Sequence, residues 1–210
     1  PSPCRSCSSF VVENRGRAIF GTNYDNTVAP GLLFVNKRGL KKATWSSDIG
    51  GDPFRWTARY ASVTFTVGGY QHAWAGMNER GLVLSTMALG ATEPPQPDQR
   101  PSLDWGPLWM QYILDTCATL EDVVAADDLV RIVHTVDHYL VADGSGRAMV
   151  VELLDGLDAF DRHLEPEFGR EAQDRTDDGA VGRVVSEGVD EALTTARAAL
   201  QRHTLSTRGF

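Results

Sequence analysis

The sequence lacks a basic excess: 20 Lys+Arg stand against 28 Asp+Glu, a net charge of -8 at pH 7. That balance speaks against a nucleic-acid surface, which needs clustered Lys and Arg to neutralise phosphates. It also lacks any run of about 18 apolar residues, so no membrane span is expected. Cysteine is scarce and odd in number: Cys4, Cys7 and Cys117. A paired disulfide framework would leave one thiol over. No methionine begins the chain. Pro1 stands there instead, which reads as a processed form or a fragment whose signal segment is already out of view. What remains is ordinary: 210 residues, 42% hydrophobic and 23% charged. A chain of this length and composition can bury one core without disulfides or a metal.

The material is uneven along the chain. Residues 1–151 are nearly balanced in charge, with 13 basic and 15 acidic side chains, whereas residues 152–210 carry 7 and 13. All five Trp and all five Tyr precede residue 140. The reading is a domain over residues 7–152 followed by an acidic segment, 153–210. That segment is either divergent and partly disordered or the out-of-register end of a longer domain. A helix is expected over residues 190–202, which are rich in Ala and Leu.

The first part reads as strands. Ser9–Glu13 and Ala18–Gly21 flank turn chemistry at Asn14-Arg15-Gly16 and predict an opening hairpin. Further strands are expected at Leu32–Asn36, Ser62–Val67, Trp74–Met77, Leu82–Met87, Tyr139–Ala142 and Ala148–Glu152. The last two flank Asp143-Gly144-Ser145-Gly146. Pro107 can open a helix whose apolar stripe runs through Leu108, Met110, Ile113, Leu114 and Cys117. Thr119 and Asp122 have capping-box spacing for a second, short helix. Strands joined by hairpins, with helices grouped apart, indicate antiparallel sheets with helices on one face.

Candidate chemistry begins at the thiols. Cys4-Arg5-Ser6-Cys7 is a CxxC, but no strand precedes it and strand formers follow it, unlike a redox motif. Zinc needs about four ligands, and only two thiols are local. His134 and His138 sit at a strand entrance. A disulfide between Cys4 and Cys7, or from either to Cys117, is a further reading. In another, Cys7 becomes an N-terminus after scission of the Ser6–Cys7 bond. Its own α-amine, with a reference pKa near 7.7–8.0, could then accept the thiol proton, reference pKa near 8.5. A carboxylate beside that amine would orient it. Asp25, at the end of the returning strand, is the candidate. The structural alternatives are a plain buried thiol at Cys7, a strand-ending Asp25, a core thiol at Cys117 and turn formers at Asn78 and Gly81. The tryptophans could be core or pocket wall.

The segments Cys7-Ser8-Ser9-Phe10 and Phe20-Gly21-Thr22-Asn23-Tyr24-Asp25 resemble the opening of the choloylglycine hydrolase and penicillin V acylase family. Gly76-Met77-Asn78-Glu79-Arg80-Gly81-Leu82 resembles that family's Gly-Met-Asn-Glu-x-Gly-Leu segment. Trp105 to Val124 and Tyr139 to Glu152 resemble its helical stretch and later hairpin. The resemblance spans roughly residues 7–152. It implies an α+β fold, a four-layer α/β/β/α sandwich of antiparallel sheets, incomplete at the C-terminus. It also implies hydrolysis of a linear, non-peptide amide through a thioester, with Cys7 as nucleophile, Asp25 beside its amine, and no cofactor or metal. The expected partner is a small-molecule amide with an apolar acyl group. A homo-oligomer is left open, and a periplasmic or secreted location is favoured over a cytoplasmic one.

Three departures mark the chain. Thr22 stands where the family has Arg. Ala88 falls near the position of an oxyanion-hole side chain. No counterpart of the downstream Asn-Ser-Pro and Arg-Phe-x-Arg segments follows residue 152. The alternative function is therefore an inactive relative or fragment that binds a small apolar ligand.

Overall fold

In a computed structural model, the structure describes residues 7–14, 17–25, 31–44, 53–66, 68–69, 71–96, 98–154 and 157–161. Cys4 and the helix expected over residues 190–202 lie outside them. Among the described residues, β1 (Ser8–Asn14) and β2 (Arg17–Asn23) form the opening hairpin. The main sheet has seven strands. They are β3 (Leu32–Asn36), β6 (Ser62–Thr66), β7 (Ala75–Asn78), β8 (Val83–Ala88), β11 (Asp137–Ala142), β12 (Ala148–Leu154) and β13 (Leu157–Asp161). Their order is β13-β12-β11-β8-β7-β6-β3, and every pair is antiparallel. The strands expected from sequence are all present, with ends within a residue or two. The ladder also continues past residue 152 through β13.

Helix α1 (Gly106–Thr116) lies on one face of this sheet, and α2 (Leu120–Asp127) adds Leu120, Val123 and Ala126 to the same core. The packing follows from alternation along the strands. Thr64, Gly76, Leu84 and Val141 stand in one cross-strand row. A Cβ added at Gly76 would sit 2.6 Å from Leu114 Cδ1 of α1, so glycine there lets the helix lie close to the strand. Leu84, Tyr139 and Val141 meet Leu108, Met110, Ile113 and Leu114 with 0–1% exposure. Pro107 sits in the first turn of α1 as expected. The capping box of α2 is formed: Thr119 Oγ1 accepts from Asp122 N at 3.2 Å, and Asp122 Oδ2 accepts from Thr119 N at 3.2 Å.

Four short strands were not expected from sequence. β4 (Lys41–Ala43) pairs with β5 (Arg55–Thr57), and β9 (Ser102–Leu103) pairs in parallel with β10 (Arg131–Ile132). Two or three residues are too few for a period to show. A buried polar pin ties β4–β5 to α1. Lys42 Nζ donates to Asp115 Oδ1 at 3.0 Å, Trp56 Nε1 to Asp115 Oδ2 at 2.8 Å, and Gln111 Nε2 to Asp115 Oδ1 at 2.9 Å. Burial pushes the Asp115 carboxyl up and the Lys42 amine down.

The second face of the sheet carries the other cross-strand rows. One row runs Leu33, Phe65, Ala75, Ser85, Leu140, Val150, and the next contains Val35, Val63, Met77 and Val83. The β1–β2 hairpin packs on this face, across Ser85. It supplies two strands of a second β layer, so the described residues show the helix, sheet and second-sheet levels of the expected sandwich. Beyond the hairpin the face is open: Leu33, Val35, Phe65 and Met77 are each at least half exposed.

Candidate active site

The hairpin register sets the site. Ser8 pairs with Asn23, Ser9 with Thr22, Phe10 with Gly21 and Val11 with Phe20. Gly21 lies under the Phe10 ring, which occupies the space a Cβ would need, so a larger residue there would displace the ring. Strand alternation then separates two sets of side chains. Ser9, Val11, Phe20 and Thr22 turn toward the main sheet. Ser8 and Asn23 turn away from it.

Cys7 immediately precedes β1 and is half-buried with a free thiol. Continuing the ladder by one step sets it opposite Tyr24, next to Asp25. Asn23 links the two chain ends: its Oδ1 accepts from Ser8 N at 2.5 Å, and its Nδ2 donates to Asp25 Oδ1 at 3.4 Å. Asp25 is exposed. The two residues singled out from sequence therefore occupy adjacent ends of one hairpin, bridged by an Asn that sequence reasoning had treated only as part of a motif.

A cavity of about 800 Å³ lies between the hairpin and the main sheet. Phe20 to Tyr24 form one wall. Leu33, Phe65, Trp74, Met77 and Val83 contribute to the other. Tyr24 meets Trp74 in a tilted arrangement with ring centroids 4.8 Å apart, and Trp74 in turn meets Trp105 edge-on at 6.2 Å. Trp74 is thus pocket wall and Trp56 and Trp109 are core. Cys7 borders the Tyr24 end of the hairpin but is not itself among the wall residues. A volume of this size with aromatic walls suits a small ligand with a bulky apolar group.

Other expectations resolve cleanly. Asn78 is structural: its Nδ2 donates to the carbonyls of Leu114 and Cys117 at 2.9 and 2.7 Å, and its Oδ1 accepts from Arg80 N and Leu82 N at 3.0 and 3.1 Å. It joins the β7–β8 turn to the end of α1. Gly81 holds a φ of +83° in that turn, where a side chain would be strained. Cys117 is buried in the core, and burial pushes its thiol up to about 12. Cys7 and Cys117 are both free thiols, so no bridge joins them. His138 faces Glu152, Nδ1 to Oε1 3.2 Å. Among the described residues, no three His, Cys, Asp or Glu side chains gather as a metal site would require, and no helix is long and apolar enough to cross a membrane.

The departures at Thr22 and Ala88 also have positions. Thr22 Oγ1 makes a hydroxyl–hydroxyl hydrogen bond of 2.9 Å to Ser9, in place of a longer cationic side chain. Ala88 ends β8, exposed, and offers no side-chain donor.

No protein-family model matches the chain. Among curated proteins it is similar to a penicillin V acylase of Pectobacterium atrosepticum. The two are 26% identical over 142 residues, covering 59% of this chain and 37% of that protein. Among solved structures it is similar to penicillin V acylase from Agrobacterium tumefaciens, with TM-score 0.63, 26% identity, and coverage of 75% of this chain and 49% of the other. A mutant conjugated bile acid hydrolase from Clostridium perfringens shares the fold at TM-score 0.62 and 19% identity, covering 74% of this chain and 50% of the other. The chain spans half or less of the length of these relatives. These likenesses fall on the part of the chain that holds the ordered segments at Cys7–Phe10, Phe20–Asp25 and Gly76–Leu82, and they support its resemblance to the choloylglycine hydrolase and penicillin V acylase family.

Proposed function

We propose that this chain hydrolyses a linear, non-peptide amide, with Cys7 as an N-terminal nucleophile. The observation that carries the reading is the bridge from Ser8 through Asn23 to Asp25 beside an aromatic-walled cavity. Scission of the Ser6–Cys7 bond frees the Cys7 α-amine. That amine takes the thiol proton, and the thiolate sulfur attacks the amide carbonyl carbon. The C–N bond breaks as the ammonium returns a proton to the leaving nitrogen, and a thioester remains on Cys7. Water, deprotonated by the same amine, attacks the thioester carbon and releases the carboxylic acid. The sulfur then regains its proton. Asp25 orients the ammonium, with its carboxylate held by Asn23. Backbone N–H groups take the oxyanion, since Ala88 cannot.

The substrate class is a linear amide whose acyl part is apolar and fits beside Phe20, Tyr24, Trp74 and Phe65. Penicillin V, with its phenoxyacetyl group, is a suitable probe. Cys7→Ser should abolish its hydrolysis, while Cys4→Ser should leave it intact. A chain in which both variants behave alike contradicts the proposal.

A second reading is favoured by Thr22 and Ala88, which replace the family's cation and oxyanion donor. Here the chain binds an apolar ligand without turning it over. It calls for saturable penicillin V binding with no Cys7-dependent product.

A further inference from the structure

The hairpin is tied to the main sheet by a chain of three hydroxyls. Ser9 Oγ lies 2.9 Å from Thr22 Oγ1 within the hairpin and 2.6 Å from Ser85 Oγ in the sheet. Ser85 is fully buried at the centre of β8, on the face opposite the helices. Apolar residues surround it in its row: Ala75 and Phe65 on one side, Leu140 and Val150 on the other. Among the described residues, Ser9 is the partner of its hydroxyl. A lone hydroxyl in an apolar row is costly unless it is satisfied. Its presence therefore fixes where β1 can sit.

Ser9 is two residues from Cys7. On a strand, that spacing puts both on the same side, so the bond that seats Ser9 on the sheet also sets the height and facing of Cys7. No other polar contact joins the start of β1 to the main sheet among the described residues. Thr22, whose hydroxyl completes the chain, stands at the position where the resembling family carries Arg.

We propose that Ser85 and Ser9 are positioning residues for the Cys7 thiol, holding it against the cavity through the strand between them. The inference rests on the proposed role of Cys7. Neither serine touches the reacting atoms.

The test uses the full chain and three variants: Ser9→Ala, Ser85→Ala and the double variant. Each is read by melting temperature and by the rate at which iodoacetamide alkylates Cys7. Trypsin separates the three thiols, because Arg5 lies between Cys4 and Cys7 and Arg15 ends the Cys7 peptide. The buried Cys117 serves as the unreactive control. Ser9→Ala leaves the buried Ser85 hydroxyl unpaired and should melt lower, whereas in Ser85→Ala the Ser9 hydroxyl keeps Thr22 as its partner. The double variant removes both hydroxyls and should recover stability, because paired removal of polar groups is nearly neutral.

A positioning role requires Cys7 alkylation to stay about fivefold faster in the double variant, the factor set by one lost hydrogen bond. If that rate returns to the parent value together with the melting temperature, or never changes, the positioning role is overturned. Penicillin V hydrolysis supplies the second readout: kcat should fall by a similar factor with KM unchanged. Alkylation reports the thiol's placement whether or not an amide is turned over. An inactive parent chain therefore overturns the proposed function, whereas equal alkylation in all four proteins overturns the positioning role.

Discussion

The two faces of the seven-stranded sheet are built on different terms. The helix-covered face is closed: Leu84, Tyr139, Val141 and Leu114 have no exposure, and the buried Asp115 carboxylate accepts from Lys42, Trp56 and Gln111. The hairpin-covered face carries one buried hydroxyl, Ser85, where the hairpin touches it, and is exposed beyond the hairpin. Leu33, Val35, Phe65 and Met77 stand half or more exposed there, and the cavity opens among them. Packing thus closes one face and leaves the cavity of the proposed site on the other. A site needs a face that packing has not filled, and the proposed nucleophile Cys7 borders the hairpin that lies over that face.

The sharpest challenge to that division is the Asp115 pin. Asp115→Ala leaves the Lys42 amine buried without its counter-charge and should cost about 3–5 kcal/mol. Urea denaturation measures it. A loss below about 1 kcal/mol would mean that water reaches Lys42 and that the helix face is not closed. The next contrast compares like with like across the sheet. Leu84→Ala should cost about 2–5 kcal/mol by opening a cavity under α1. Phe65→Ser, on the open face, should change stability by no more than about 0.5 kcal/mol. Equal losses would show that the second face is covered in solution.

Most of this division could be read from the sequence. Strand-forming runs bounded by turn residues located the strands that pair over several residues, and the apolar stripe from Leu108 to Cys117 located α1. Thr119 and Asp122 announced α2 by spacing alone. The two-residue strands and the Asp115 pin were invisible, because Lys42, Trp56, Gln111 and Asp115 lie far apart in the chain and no local pattern joins them. The same holds for the site. Cys7 and Asp25 could be named because they end one hairpin. The bridge through Asn23 and the bond from Ser9 to Ser85, 76 residues apart, exist only once the hairpin is laid on the sheet.

Smaller effects sharpen the helix side further. Thr119→Ala removes one half of the capping box and should cost about 1 kcal/mol, read from the same urea curves. The smallest effect is electrostatic. The Arg147 guanidinium, bonded to Glu121 at 2.6 and 3.0 Å, holds the Glu121 carboxyl at about 2, below its ordinary 4.5. A depressed folded pKa stabilises the protein above the unfolded value, and that share is lost as pH falls toward 2. Glu121→Gln should therefore lower the melting temperature slightly at pH 7, with the gap to the parent closing between pH 4.5 and pH 2. A gap that stays constant with pH would assign the loss to packing instead.

The central claim is that sulfur at an exposed chain start forms the acyl intermediate. The most direct test is the intact mass of the protein quenched in acid during incubation with penicillin V. The account requires a chain that begins at Cys7 and carries a phenoxyacetyl group on that residue. A chain that still begins at Pro1, unmodified after prolonged incubation, would contradict it.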